Sequence, residues 1–233
     1  KEPLRGIYNY SEFLKEDYSE LLDDEGKSKL DTLVRLSQRM ELLINNILTY
    51  ARLGRTEIKL ESVDLNKLLL EILDNLQFLR TESGVDIRVP HPLPVFICDK
   101  TWVKEVFHNL ITNALKYNDK DEKWVEVGCI SNGVSESTMP SIGNTNKNSS
   151  VLPVFYVQDN GIGIPERHHD SLFRIFKRLT GKKQFGDGAG AGTTIAKKVI
   201  ELHNGRIWLK STEGKGTTFY FTLGEAEEKH ELN

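Results

Sequence analysis

The chain has 233 residues, enough for one sizeable domain plus a smaller helical element, and its 31 Lys and Arg against 34 Asp and Glu leave a formal charge of −3. Without a basic excess there is little to neutralise a phosphodiester backbone, which argues against nucleic acid as a partner. No stretch of 18 apolar residues occurs and the first residues carry neither a basic nor an apolar leader pattern, so neither a membrane segment nor secretion is expected. Two cysteines, Cys98 and Cys129, are too few for a disulfide framework or a metal cluster, and are expected as reduced core residues of a cytoplasmic protein.

In chain order, Leu4, Ile7, Leu14, Tyr18 and Leu21 recur on spacings of three and four, with Ser11 the polar member of the series. The spacing predicts a helix with one apolar stripe, ended by a break at "DDEG". A second helix follows, in which Leu33, Leu36, Met40, Leu43, Ile47 and Tyr50 keep heptad spacing. Together they make a helical hairpin over residues 1–56. Two helices enclose little core, so their remaining apolar faces are expected to pair with a second copy as a dimeric four-helix bundle. The alternative is a cap packed on the rest of the same chain.

Beyond the hairpin the pattern changes. Asp64 is placed to cap "LNKLLLEILDNLQFL", and strand-like runs follow at "VDIRV", "WVEVGCI", "VFYVQD" and "FYFTL", interleaved with helical segments. The expectation is an α+β chain: the hairpin, then an α/β sandwich over 57–224 with a mixed sheet packed on helices. Residues 131–150, dominated by Ser, Asn, Gly and Thr, are expected to be a mobile surface loop, and 225–233 an acidic tail.

Three segments carry chemistry. In "KEVFHNLITNALKYN" a helical wheel puts Val103, Phe107, Leu110, Ile111 and Ala114 on one face and Glu105, Asn109, Asn113 and Lys116 on the other. Asparagine is a poor helix former, so two of them one turn apart, with a lysine next in line, suggest more than a solvated face. Carbonyl oxygens beside an ammonium suit a hydrated Mg²⁺ carrying phosphates. In "VQDNGIGIP" an apolar strand runs into Asp159, Asn160, Gly161 and Gly163. That is ordinary turn chemistry, or else a carboxylate fixed to accept from an exocyclic amine, with glycines admitting a flat ring. In "GDGAGAGTTIAKKVIELHNG", Gly188, Gly190 and Gly192 alternate before an amphipathic helix whose N-terminus suits an anion, and Lys177, Arg178, Lys182 and Lys183 add positive charge upstream.

These residues resemble the transmitter region of a sensor histidine kinase, and the resemblance covers nearly the whole chain. The asparagine box is similar to "NLITNALKYN", the first glycine box to "DNGIGIP", the phenylalanine box to "LFRIFKRL", the second glycine box to "GAGAGTTIA", and the closing strand to "GKGTTFYFTL". The wording of "VEVGCI" and "TTFYFTL" is most similar to cyanobacterial phytochrome-like kinases. The resemblance implies ATP and Mg²⁺ as ligands. Asn113 would hold the metal, Asn109 would stand beside it, Lys116 would contact phosphate and Tyr117 would pack by the base. Asp159, with Gly161, Gly163 and Thr217, would read the adenine. Gly188, Gly190 and Gly192 would close over the triphosphate near Lys177 and Arg178. It also implies a homodimer and a response-regulator receiver domain as partner.

The same nucleotide fold serves gyrase, chaperone and mismatch-repair ATPases. In those hydrolases a glutamate stands four residues before the magnesium asparagine, where this chain has Asn109; an amide is no general base, which favours phosphoryl transfer over hydrolysis. "KEPL" resembles the later part of the phosphoacceptor box, His-Asp/Glu-x-Lys/Arg-x-Pro-Leu. The resemblance therefore implies an acceptor histidine three residues before Lys1, a chain cut inside its motif, and no autophosphorylation by this piece. None of His91, His108, His168, His169, His203 and His230 stands in such a box. Thr193 departs from the family, which usually carries an apolar residue there. It can cap a helix start, and it leaves open a degenerate module that dimerises and relays conformation without chemistry.

Overall fold

Asp23 sets the turn of the helical hairpin: its carboxylate accepts the Gly26 amide at 2.7 Å and caps α2 (Asp24–Leu53). The computed structural model describes residues 2–54, 57–130, 152–169, 171–173 and 192–224. Helix α1 (Glu2–Tyr18) gives way to a single 3-10 turn, Ser19–Leu21, before Asp23. "DDEG" therefore starts the second helix rather than ending the first, because a cap and two acids favour the positive end of a helix dipole.

The seam between α1 and α2 holds Ser11, Leu30 and Ser37, all buried, with the Ser11 hydroxyl donating to the Ile7 carbonyl. Most of the heptad stripe is elsewhere. Ile7, Leu14, Leu33, Leu36, Met40 and Ile47 are exposed on the single chain. Helix α2 also runs on into the next domain, where its last residue, Leu53, is buried in the core and the helix packs against α6 (Gly192–Leu202).

The second domain opens with β1 (Glu61–Asp64), whose last residue caps α3 (Leu65–Asn75) by accepting the Asn66 and Lys67 amides. The apolar run expected to form one helix breaks at Leu76 into α3 and α4 (Gln77–Ser83). β2 (Asp86–Arg88), β3 (Val95–Cys98), α5 (Lys100–Lys116), β4 (Trp124–Ile130), β5 (Val154–Asp159), α6, β6 (Ile207–Thr212) and β7 (Gly216–Thr222) follow. The main sheet has the order β2-β4-β5-β7-β6, parallel only between β2 and β4; β1 and β3 form a separate antiparallel pair. The mixed α/β expectation holds, although β1, β3 and β6 were not foreseen.

Helix α5 is the centre of the packing, in contact with β5, α3 and α6. All five apolar positions read from its periodicity are buried, and so are Val106 and Leu115. Phe107 meets Phe155 and Phe221 edge-on, at 6.2 and 5.3 Å between centroids, so helix and sheet share one aromatic cluster. Burying one such ring is worth about 1.5–3 kcal/mol. The N-terminus of α5 is tied down by Asp99. Its carboxylate accepts the Trp102 amide and, from the linker after the hairpin, the Lys59 amide, while its own amide donates to His203 Nε2 at 3.1 Å. His203 Nδ1 therefore carries the proton and donates to the Val199 carbonyl, which welds the end of α6 to the start of α5. Cys98 is buried and its thiol is pushed up to about 12, first by burial and then by nearby acids; Cys129 is half-buried.

Candidate functional site

The C-terminal end of β5 delivers Asp159 to a buried corner, 8% exposed. Oδ1 accepts the Gly161 amide at 2.8 Å and the Thr217 amide at 3.3 Å, which fixes the carboxylate plane; Oδ2 has no partner among the described residues. Burial pushes this carboxyl up to about 6, against the pull of the two amides. At neutral pH it is mainly ionised, with one unspent oxygen and no cation paired with it among the described residues.

The two glycines are there for close approach. A methyl on Gly161 would collide with the Tyr117 carbonyl, which accepts the Ile162 amide at 3.1 Å; Gly163 has φ +65° and lies against the Thr212 carbonyl. Only glycine meets both demands at 163. Tyr117 is thus drawn from the end of α5 to the turn after Asp159, and Lys116 sits over its ring at 5.8 Å. Asn160, taken from the sequence as turn chemistry, does more. Its Oδ1 accepts from Asn118 Nδ2 and the Trp124 amide, and its Nδ2 donates to the Glu122 carbonyl, clamping the end of the asparagine box to the first glycine box. Neither Asn118 nor Ser211, whose hydroxyl bonds that of Thr217, was picked out from the sequence.

Farther along α5, Asn109 donates to the Glu105 carbonyl and to Glu105 Oε1, at 2.9 and 3.1 Å. A β-carbon on Gly192 would collide with its Oδ1. Gly192 therefore works here by letting the first turn of α6 approach α5. Asn113 is half-buried and its side chain makes no hydrogen bond among the described residues, so its oxygen is open to a metal ion. Lys177, Arg178, Gly188, Gly190, the expected loop 131–150 and the tail 225–233 lie outside the described residues.

Thr193 does not cap α6. It is buried inside the first turn, and its hydroxyl donates to the Leu172 carbonyl at 2.9 Å, with Thr194 reaching Phe173 at 3.4 Å. The polar residue that departs from the family pattern is satisfied by the start of the phenylalanine box.

Residues 98–227 match the family described as histidine kinase-, DNA gyrase B- and HSP90-like ATPase, and residues 1–56 match the His Kinase A phospho-acceptor domain. The chain belongs to the histidine kinase-, gyrase B- and HSP90-like ATPase family. With the phospho-acceptor domain in front, it is the transmitter region of a sensor histidine kinase. The transmitter is 52% identical over 223 residues to cyanobacterial phytochrome B of Nostoc, covering 96% of this chain and 28% of that protein. It is 36% identical to the phytochrome-like protein Cph1 of Synechocystis, covering 96% and 27%. The chain thus spans just over a quarter of the length of these curated relatives. Among solved structures, full-length ShkA in complex with AMPPNP aligns with a TM-score of 0.64 at 23% identity, covering 97% of this chain and 44% of that one. The histidine kinase ThkA in complex with the response regulator TrrA aligns at 0.63 and 19%, covering 98% and 60%. At such identities these two likenesses concern the fold alone. Among the described residues no helix is long and apolar enough to cross a membrane.

Proposed function

We propose that the transmitter binds Mg-ATP at the Asp159 corner and that, in the intact protein, the γ-phosphate passes to a histidine upstream of Lys1 and then to an aspartate of a response-regulator receiver domain. One observation carries the nucleotide reading: a buried, ionised carboxylate whose Oδ1 is saturated by two amides and whose Oδ2 is unspent. A charge left unpaired in a buried corner is costly, and an amine on a bound base offsets that cost.

The other roles follow from position. Gly161 and Gly163 keep the floor of the corner flat, Tyr117 and Lys116 stand at its α5 side, and Thr217 lies beside Asp159. Asn113 offers the oxygen for Mg²⁺, which when bound neutralises phosphate charge. We assign phosphate contacts to Lys177, Arg178, Gly188 and Gly190 on the resemblance, and Gly192 to the close packing of α6. Asn109, whose amide is spent on Glu105, has no basic atom to activate water, which favours transfer over hydrolysis. The exposed apolar stripe of residues 1–56 supports a homodimer through a four-helix bundle, with 57–224 as the ATP-binding domain of a cytoplasmic transmitter.

Titration calorimetry with ATP in the presence and absence of Mg²⁺ tests the reading; no heat in either condition overturns it. The same preparation tests the acceptor. Because none of the six histidines stands in an acid-x-basic-x-Pro context, residues 1–233 take up no acid-labile label from radiolabelled ATP, whereas the chain extended by His-Asp-Leu does. Phosphohistidine on the unextended chain would show that the acceptor is one of those six.

A further inference from the structure

Asp159 and Thr217 are directly paired across β5 and β7, and Thr217 is paired with Ser211 across β7 and β6, so the three side chains form one row on the helix-covered face of the sheet. Ser211 Oγ has three neighbours: the Ile164 amide at 2.7 Å, the Gly216 carbonyl at 3.0 Å and Thr217 Oγ1 at 2.9 Å. An amide can only donate and a carbonyl can only accept. The single Ser211 proton is therefore committed to Gly216, one Ser211 lone pair takes the Ile164 N–H, and the third bond must be donated by Thr217.

The consequence falls on the nucleotide corner. With its proton spent on Ser211, Thr217 Oγ1 has only lone pairs to offer. Asp159 Oδ2 likewise can only accept while ionised. The row thus presents two acceptors and no donor to a ligand. We propose that Ser211 is a positioning residue for base specificity: by holding the Thr217 proton it makes the corner select a 6-amino purine, which donates two hydrogens, and reject a 6-oxo purine, whose oxygen faces two acceptors. The proposal rests on the assignment of this corner to the purine of ATP. Ser211 itself touches no ligand; it acts through Thr217, and its hydroxyl is what keeps the threonine from turning its proton toward the site.

Competition calorimetry with Mg-ATP and Mg-ITP on the dimeric transmitter reads the effect as a ratio of affinities. The unsubstituted chain prefers ATP. Ser211→Ala frees the Thr217 proton to donate to a 6-oxo group, and the ATP-over-ITP preference falls about tenfold, the size of one hydrogen bond made against one left unpaired. Thr217→Val removes the hydroxyl altogether, so it narrows the preference too, and adding Ser211→Ala to it changes the ratio no further. A loss of stability by itself would weaken both nucleotides alike and leave the ratio alone. Equal weakening of ATP and ITP in Ser211→Ala overturns the proposal, as does a further fall in the ratio when Ser211→Ala is added to Thr217→Val. If Ser211→Ala does not fold, Thr217→Val still decides, because an unchanged ratio there means the threonine does not read the 6-position. No binding of either nucleotide to the unsubstituted chain removes the ATP reading itself, a result distinct from any change in the ratio.

Discussion

Replacing Asp159 by Asn should stabilise the empty domain while it disables the site. The carboxyl titrates at about 6 in the folded chain against an ordinary value of 3.8, with burial as the main cause. Folding therefore bears a cost that is absent below about pH 4, grows through the window between the two values and is complete above about pH 6. At 1.36 kcal/mol per pH unit of difference this amounts to about 3 kcal/mol at pH 7.5 and about half that at pH 5. Asparagine keeps Oδ1 for the Gly161 and Thr217 amides and puts a neutral NH2 where Oδ2 had no partner. Urea denaturation at the two pH values should show Asp159→Asn more stable at pH 7.5, with the advantage shrinking on acidification. With ATP the sign reverses, because the new NH2 faces the amine of the base. Loss of a charge-assisted hydrogen bond worth about 1.5–3 kcal/mol lowers affinity tenfold or more. A variant less stable than its parent at pH 7.5, or one that binds ATP as well as its parent, refutes the account of this carboxylate.

Asn113→Ala should weaken nucleotide binding with Mg²⁺ much more than without it, since the lost oxygen is a metal ligand; equal losses by calorimetry would make Asn113 structural. Leu36→Glu puts a charge on the exposed hairpin stripe and should turn a dimer into a monomer in analytical ultracentrifugation while leaving ATP affinity unchanged. His203→Ala strips the acceptor from the buried Asp99 amide and the donor from the Val199 carbonyl, and should cost about 1–3 kcal/mol in chemical denaturation. A cost within experimental error there would mean the α5–α6 weld contributes nothing.

Local chemistry was legible from residues alone. A short polar side chain ahead of an apolar run caps a helix wherever it folds, so Asp64 was read correctly. The buried face of α5 was legible because a 3.6-residue period survives any tertiary context. The boxes around Asn113, Asp159 and Thr217 could be read in order because each is a short contiguous string. Other features depend on residues distant in sequence. β1 and β3 exist because Glu61 and Cys98, 37 positions apart, meet as partners, and neither run alternates strongly enough to announce itself. The heptad stripe showed that the hairpin had a sticky face, but only the packing of Ser11 against α2 decided which residues the chain keeps for itself and which it leaves exposed. Thr193 looked like a cap until Leu172 supplied a nearby carbonyl, and nothing in the sequence joins His203 to Asp99, 104 residues away. The same holds for Ser211, one ordinary serine in a strand until β6, β7 and the turn after Asp159 converge on it. Caps and periodicities are short-range consequences of backbone geometry, whereas the direction of a hydroxyl proton is set by every donor and acceptor within reach, and only the folded chain brings those together.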